Sequence, residues 1–310
     1  MSLASVADGR VCNRRRPTPT YSWVVRALHW ILARMGLLQT VILFLWIAER
    51  AQHNRELPIS PWMIYTHAVI GFIGSTGLSV RFLSRISLYA LCAAQLHMAY
   101  IYLMEPKLGY TRWLRVRVTT RCIASGAIYL RMLGIQQPDG QMPTTTKPRP
   151  SLVYTIALGL ISVSNIISSL LCLPVSVATI DREAQLVEQT SLWNSLTVLA
   201  PIANTILCLS LGVASLCHSL PLLMYHASVS IDHTLNERAF RLGDKLTFFS
   251  YIGLVICHDS NINHWVRNGS DFWLHCQLLL NCFIVCAGIS VTTDLSRAAA
   301  QTNTLFRKER

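Results

Sequence analysis

The chain has 310 residues, of which 52% are apolar and only 14% are Asp, Glu, Lys or Arg, and its mean hydropathy is +0.40. Soluble domains contain about 25% charged residues, whereas each membrane crossing needs about 20 mostly apolar residues. The composition therefore predicts an all-α polytopic membrane bundle with about eight transmembrane helices. It excludes a disordered chain, a disulfide-rich secreted module and a soluble enzyme with a nucleotide-binding domain.

The net charge of +12 does not indicate a nucleic-acid partner, because the basic residues flank apolar runs. Arginines occupy residues 14–16 before the first run, and three basic residues lie within 307–310 after the last. Cytoplasmic flanks of membrane helices carry an excess of Lys and Arg. We therefore expect the lipid bilayer to be the main partner, in an endomembrane or the plasma membrane, with both termini cytoplasmic.

The apolar runs form two groups within a single membrane domain. Residues 27–135 contain the first four helices and residues 152–293 the last four, with a Pro-rich linker at 136–151. Residues 1–26 and 294–310 are predicted cytoplasmic tails, and no hydropathy repeat clearly relates the two groups. The seventh run is short, so we expect it to recruit residues upstream of Lys245. The predicted spans are 27–48, 62–80, 86–104, 116–135, 152–173, 192–217, 246–257 and 272–293.

The fourth run is unusual because it contains several arginines, which are costly in lipid and predict that this helix packs inside the bundle. Arg117 and Arg121 are one helical turn apart on one face. Two guanidiniums that point the same way can bind an anionic lipid headgroup, a phosphate or a buried carboxylate. Glu49 and Glu105 are candidate carboxylates at the same membrane face. The alternative is that the arginines reach the interface and form a structural ion pair.

A polar segment, HDSNINHWVRNGSDFWLH, lies between the last two runs. Its histidines and Asp259 are possible zinc ligands, but their spacing matches no established zinc pattern. We therefore expect an interfacial turn without metal or cofactor. Asn268 begins an Asn-Gly-Ser sequon, which is either glycosylated or too close to the bilayer to be used.

Several motifs resemble, in the same order, those of the transmembrane protein 101 family, over residues 48–294. They are Ala48-Glu49-Arg50, the stretch WLRVRVTTR from Trp113, then Asp259, Asn261, Trp265 and Phe272-Trp273, and finally Thr293-Asp294. The resemblance implies eight helices, membrane residence and a loose association with an inflammatory transcription-factor pathway, without an established biochemical activity. The chain departs from the family by a longer basic amino end, a longer linker and an extra segment, NERAFRLGDK. The matching candidates for structural or ligand-facing roles are Glu49, Arg50, Arg117, Arg121, Asp259, Asn261 and Trp265.

These features predict a membrane scaffold or signalling adaptor without enzymatic activity. A second hypothesis is a transporter of a small solute or lipid, in which several polar residues converge on one cavity. A third is a lipid-modifying enzyme, which requires Asp259 and a histidine within hydrogen-bond range. A solid apolar bundle would favour the scaffold, whereas a polar cavity at mid-depth would favour transport. The polar residues that would converge in a transporter are His67, Gln95, His97, Asn165 and Asn204.

Overall fold

The computed structural model describes residues 23–52, 59–79, 83–104, 110, 112–136, 151–173, 199–226, 233–259 and 272–308. Within these ranges the chain forms eight α-helices and no strand, which confirms the all-α prediction. The helices are α1 (Trp23–Gln52), α2 (Pro61–Ser79), α3 (Ser84–Met104), α4 (Arg112–Gln136), α5 (Leu152–Leu171), α6 (Leu199–His226), α7 (His233–Leu254) and α8 (Phe272–Lys308).

Several helices extend beyond the apolar runs that predicted them. α7 begins at His233, so the charged residues upstream of Lys245 are helical. α6 continues past Pro221 to His226. α8 continues to Lys308, well beyond the predicted end of its span. The apolar runs therefore predicted where the helices lie better than where they end.

Five helices, namely α1, α3, α5, α6 and α8, are long and apolar enough to cross a membrane. Their outward surfaces carry many large exposed apolar side chains, including Phe44 on α1, Tyr100 on α3, Ile206 on α6 and Phe283 on α8. Soluble monomers rarely expose apolar surface on this scale. The chain is therefore a multi-pass membrane protein, whereas a total of eight crossings stays a prediction.

The helices form two five-membered rings that share α4 and α8. Helices α1 to α3 link α8 to α4 in the first ring, and helices α5 to α7 link α4 back to α8 in the second. Helices that follow one another in sequence run antiparallel, whereas α4 and α8 run parallel at the centre. Their parallel contact is seen where Ser125 meets Asn281 and, further along both helices, where Ile128 meets Gly288.

The central position of α4 explains how a helix rich in arginine is accommodated. Val118, Cys122 and Ile128 are fully buried, and so is the side chain of Arg121. A helix covered by protein on most sides can carry charges that would be costly against lipid. The expectation that this helix packs inside the bundle agrees with its surroundings.

Close contact between α1 and α2 depends on glycine. A Cβ atom added to Gly71 would lie 2.9 Å from the carbonyl oxygen of Gly36 and would also meet the Thr40 hydroxyl. Small residues allow helix backbones in membranes to approach this closely. Further small residues buried on α2 are Gly74, Ser75 and Gly77.

Candidate functional site

A polar cavity lies inside the first ring between α1, α2, α3 and α8. It contains about 520 Å³ of empty space, counting the part that is open to the outside, and its enclosed part has room for only a few water molecules. Gln39 and Gln95 line it near the middle of two candidate membrane spans. The cavity therefore extends to the middle of these two spans, which we call mid-depth. Other residues that line it include Thr40, Trp46, His67, Tyr102, Trp273 and Gln277.

A chain of side-chain hydrogen bonds leads from this cavity to the centre of the bundle. Gln95 donates to Oε1 of Gln39, and Nε2 of Gln39 donates to Oδ1 of Asn281 at 2.9 Å. The hydroxyl of Ser125 donates to the same Asn281 oxygen at 3.1 Å. Oε1 of Gln95 is buried and has no hydrogen-bond partner within the described ranges, so it remains available to a donor inside the cavity.

Two histidines contact each other beside the cavity. Nε2 of His67 lies 2.6 Å from Nδ1 of His97, and the two rings stack with their centroids 4.8 Å apart. One of these nitrogens must carry a hydrogen while the other accepts it, so the pair holds complementary tautomers or shares one proton. Because His67 also lines the cavity, this pair forms part of the polar wall.

The structure brings together part of the set that the transport hypothesis requires. His67 and Gln95 line the same cavity, and His97 contacts His67. Asn165 and Asn204 instead lie on α5 and α6 in the second ring. The convergence on one cavity is therefore partial.

A smaller cleft, which we call the arginine cleft, lies in the second ring between α4, α5 and α7. It contains about 260 Å³ of empty space, most of it in its open part, and its enclosed part has room for about one water molecule. Arg117 and Arg121, both buried, line it from α4. The other residues that line it are Trp113, Ser168, Leu171, Cys172, Leu254 and His258.

Each arginine of this cleft lies against an aromatic ring. Cζ of Arg117 is 4.7 Å from the ring centroid of Trp113, and Cζ of Arg121 is 4.5 Å from that of Tyr251. A guanidinium stacked on an aromatic face is stabilised by a cation–π interaction. The N–H groups of a guanidinium lie in its plane and point away from a ring stacked on its face, so stacking by itself does not prevent an arginine from binding an anion.

The remaining predicted residues are described only in part. Arg50 is buried, with its Cζ 5.6 Å from the ring centroid of Trp46, and Glu49 beside it is half-buried. Asp259 ends a π-helical turn, Val255–Asp259, that continues α7, but its side chain lies outside the described residues. Asn261, Trp265 and Asn268 lie outside them entirely, as does Glu105.

A buried ionic network joins four helices of the second ring. Nη1 and Nη2 of Arg131 on α4 donate to the two carboxylate oxygens of Asp244 on α7, at 2.6 and 2.7 Å. Nε2 of His218 on α6 lies 3.1 Å from Oδ1 of the same carboxylate. The hydroxyl of Thr293 on α8 donates to Oδ2 at 3.2 Å. Neither this partner of Arg131 nor any role for Asp244 was predicted from the sequence.

The fold and these clefts define a class, an α-helical membrane protein with polar cavities inside its bundle. No protein-family model, no curated protein and no solved structure matches the chain. The resemblance to the transmembrane protein 101 family therefore stays a prediction. Within the described ranges, no three His, Cys, Asp or Glu side chains are grouped as metal ligands would be.

Proposed function

We propose that this chain is a non-enzymatic membrane protein that binds a small uncharged polar solute in the first-ring cavity and carries it across the bilayer. The observation that supports this proposal is the polar lining of a cavity that reaches mid-depth. Many secondary transporters bind their substrates near the membrane midplane. The position of the cavity matches this requirement.

The lining indicates the chemical class of the solute. Gln39, Gln95 and Gln277 present carboxamides, each of which has donors and an acceptor. The described residues that line the cavity include no Asp, Glu, Lys or Arg, so an ion would lose its hydration without gaining a counter-charge. The small enclosed volume favours solutes of a few heavy atoms. Small amides and polyols fit these conditions.

The polar lining favours solute binding over the scaffold or signalling adaptor. Buried polar groups in a membrane protein are costly and usually mark a functional pathway, and an adaptor that acts through its surface needs none. The carboxamides of Gln39 and Gln95 bond to each other, yet Oε1 of Gln95 retains capacity for a further donor. The lipid-modifying hypothesis depends on the side chain of Asp259 and stays a prediction.

We expect Gln95→Leu to reduce transport while the protein still folds. Leucine has a similar volume but removes both the donor to Gln39 and the available acceptor. Loss of such hydrogen bonds reduces solute binding by about tenfold. The measurement is uptake of radiolabelled urea and of glycerol into liposomes that contain the purified full-length protein.

Thr76→Val is the control for this experiment. Thr76 is exposed on α2, and its hydroxyl bonds to Phe72 and Ile73 of its own helix, so wild-type uptake is expected. Uptake no faster than into protein-free liposomes, for both solutes, would contradict the proposed function. Wild-type uptake by Gln95→Leu would exclude this cavity as the binding site.

A further inference from the structure

The two central helices share a short sequence pattern that relates the two rings. Four identical residues recur at equal spacing on α4 and α8, 160 positions apart in the chain. The order of helix contacts is also the same in both rings, with α1 to α3 and α5 to α7 in corresponding places. Both observations indicate two parallel repeats of four helices. The matching pairs are Trp113 and Trp273, Leu114 and Leu274, Cys122 and Cys282, and Ala127 and Ala287.

The residues that line the two clefts correspond in the same register. Gln277 of α8 lines the polar cavity, and the corresponding residue of α4 is Arg117, which lines the arginine cleft. Four positions further on, Asn281 corresponds to Arg121. α4 thus carries two guanidiniums at the positions where α8 carries Gln277, which lines the polar cavity, and Asn281, which bonds to Gln39 of its wall. The corresponding positions therefore differ in charge.

Residues that line the two clefts also correspond on α1, which neighbours α8, and on α5, which neighbours α4. Thr40 and Leu43 of α1 line the polar cavity. Ser168 and Leu171 of α5 line the arginine cleft with the same spacing and the same order of hydroxyl and leucine. The two clefts therefore share part of the arrangement of their lining residues as well as their place in the ring.

We propose that Arg117, Arg121 and His258 form a binding site for a phosphate-bearing anion in the arginine cleft. Guanidiniums bind phosphate through two parallel hydrogen bonds, which makes arginine the preferred residue for this ligand. The proposal concerns a different ring and a different class of ligand from the solute cavity. It therefore goes beyond the proposed function and does not depend on it.

His258 contributes an independent observation. It lies in the π-helical turn Val255–Asp259, and single π-helical turns occur frequently at functional sites. His258 lines the cleft, and its Nε2 is buried without a hydrogen-bond partner within the described part of the chain. An oxygen of a bound anion is a suitable acceptor for this nitrogen when it carries a hydrogen.

The depth of the site suits a group that enters from the end of the bundle. Arg117 and Arg121 lie about 8 and 14 Å along α4 from its first residue. Leu171 and Leu254 give the same cleft an apolar wall. A phosphate attached to a lipid and a free phosphate would both present the same charged oxygens to these arginines.

Binding of two probes to the purified full-length protein in detergent tests the proposal. Native mass spectrometry measures retention of phosphatidic acid relative to phosphatidylcholine, and equilibrium dialysis measures binding of radiolabelled inorganic phosphate. We expect at least one probe to bind saturably and Arg117→Gln to weaken that binding about tenfold or more. Preference for phosphatidic acid alone identifies a lipid headgroup, whereas saturable binding of inorganic phosphate identifies the free ion.

Two further variants make the result specific to the cleft. Arg241→Gln removes the same charge from the exposed surface of α7, where Arg241 pairs with Glu237, and is expected to bind like the wild type. His258→Leu removes the ring nitrogens, and with them the hydrogen bond from Nε2 to the anion, and is expected to weaken binding even if Arg117→Gln folds poorly. Failure of both probes to bind, or wild-type binding by every folded cleft variant, would overturn the proposal. Urea and glycerol uptake would be unaffected, so the two proposals fail separately.

Discussion

The variant Asp244→Ala is expected to unfold at a much lower denaturant concentration than the wild type. Removal of the carboxylate leaves Arg131 buried without its counter-charge and also removes the contact with His218. Breaking one side of a buried ion pair costs about 3–5 kcal/mol in the free energy of unfolding. Titration of the purified protein from mixed micelles with sodium dodecyl sulfate, followed by circular dichroism, measures this change.

An exposed ion pair on the same helix supplies the matched control. Glu237 and Arg241 are each about half exposed, with side-chain exposures of 47% and 48%. Glu237→Ala is therefore expected to change the free energy of unfolding by less than about 1 kcal/mol. The double variant Asp244→Leu with Arg131→Met should recover much of the loss, because no charge is then buried alone. If Asp244→Ala and Glu237→Ala unfold alike, the buried pair is not a major source of stability.

The ionic network shows why the placement of a helix can be predicted from the sequence when its contacts with other helices cannot. Arg131 and Asp244 are 113 residues apart, so no local spacing connects them. Arginines in a membrane run predict that a helix is shielded by protein, but the partner depends on which helices become neighbours. Asp244 lies near the middle of α7, in the charged stretch that precedes the apolar run. The apolar pattern is absent there, and the sequence offered no reason to expect a buried carboxylate.

Helix positions could be predicted because a segment that crosses lipid must form all its backbone hydrogen bonds within a helix and must present apolar side chains over about 20 residues. α5 and the start of α8 follow their apolar runs closely. α7 was predicted least well, because its buried face includes Asp244 and therefore lacks a continuous apolar pattern. The shared face of Arg117 and Arg121 followed directly from their spacing.

The rest of the arginine cleft could not be predicted, because it depends on tertiary structure. His258 reaches the cleft from a π-helical turn, for which the sequence contains no clear signal. The repeat relating α4 to α8 was also missed. Arginines on α4 stand where α8 has Gln277 and Asn281, so the two helices differ in hydropathy. The signal that would have revealed it is the Trp-Leu pair that begins both helices.

The variant Gly71→Leu is expected to prevent normal packing of α1 against α2. Its Cβ would lie 2.9 Å from the carbonyl oxygen of Gly36, which cannot rotate away as a side chain can. The helices must therefore separate, and overpacking of this kind costs about 3 kcal/mol. Because Gly71 also lines the polar cavity, the same change should abolish solute uptake. The fraction of protein that elutes as a single folded peak in size-exclusion chromatography measures the packing defect.

Gly159→Leu separates this steric effect from the general effect of replacing glycine in a helix. Among the described residues, and apart from the backbone of its own helix, a Cβ added to Gly159 on α5 would meet no atom within 4 Å, so the larger side chain has space. Leucine also favours helix over glycine by about 1 kcal/mol, and wild-type elution with equal or higher stability is expected. If Gly71→Leu behaved in the same way, α1 and α2 would not be in close backbone contact, and the wall that they supply to the polar cavity would have a different shape.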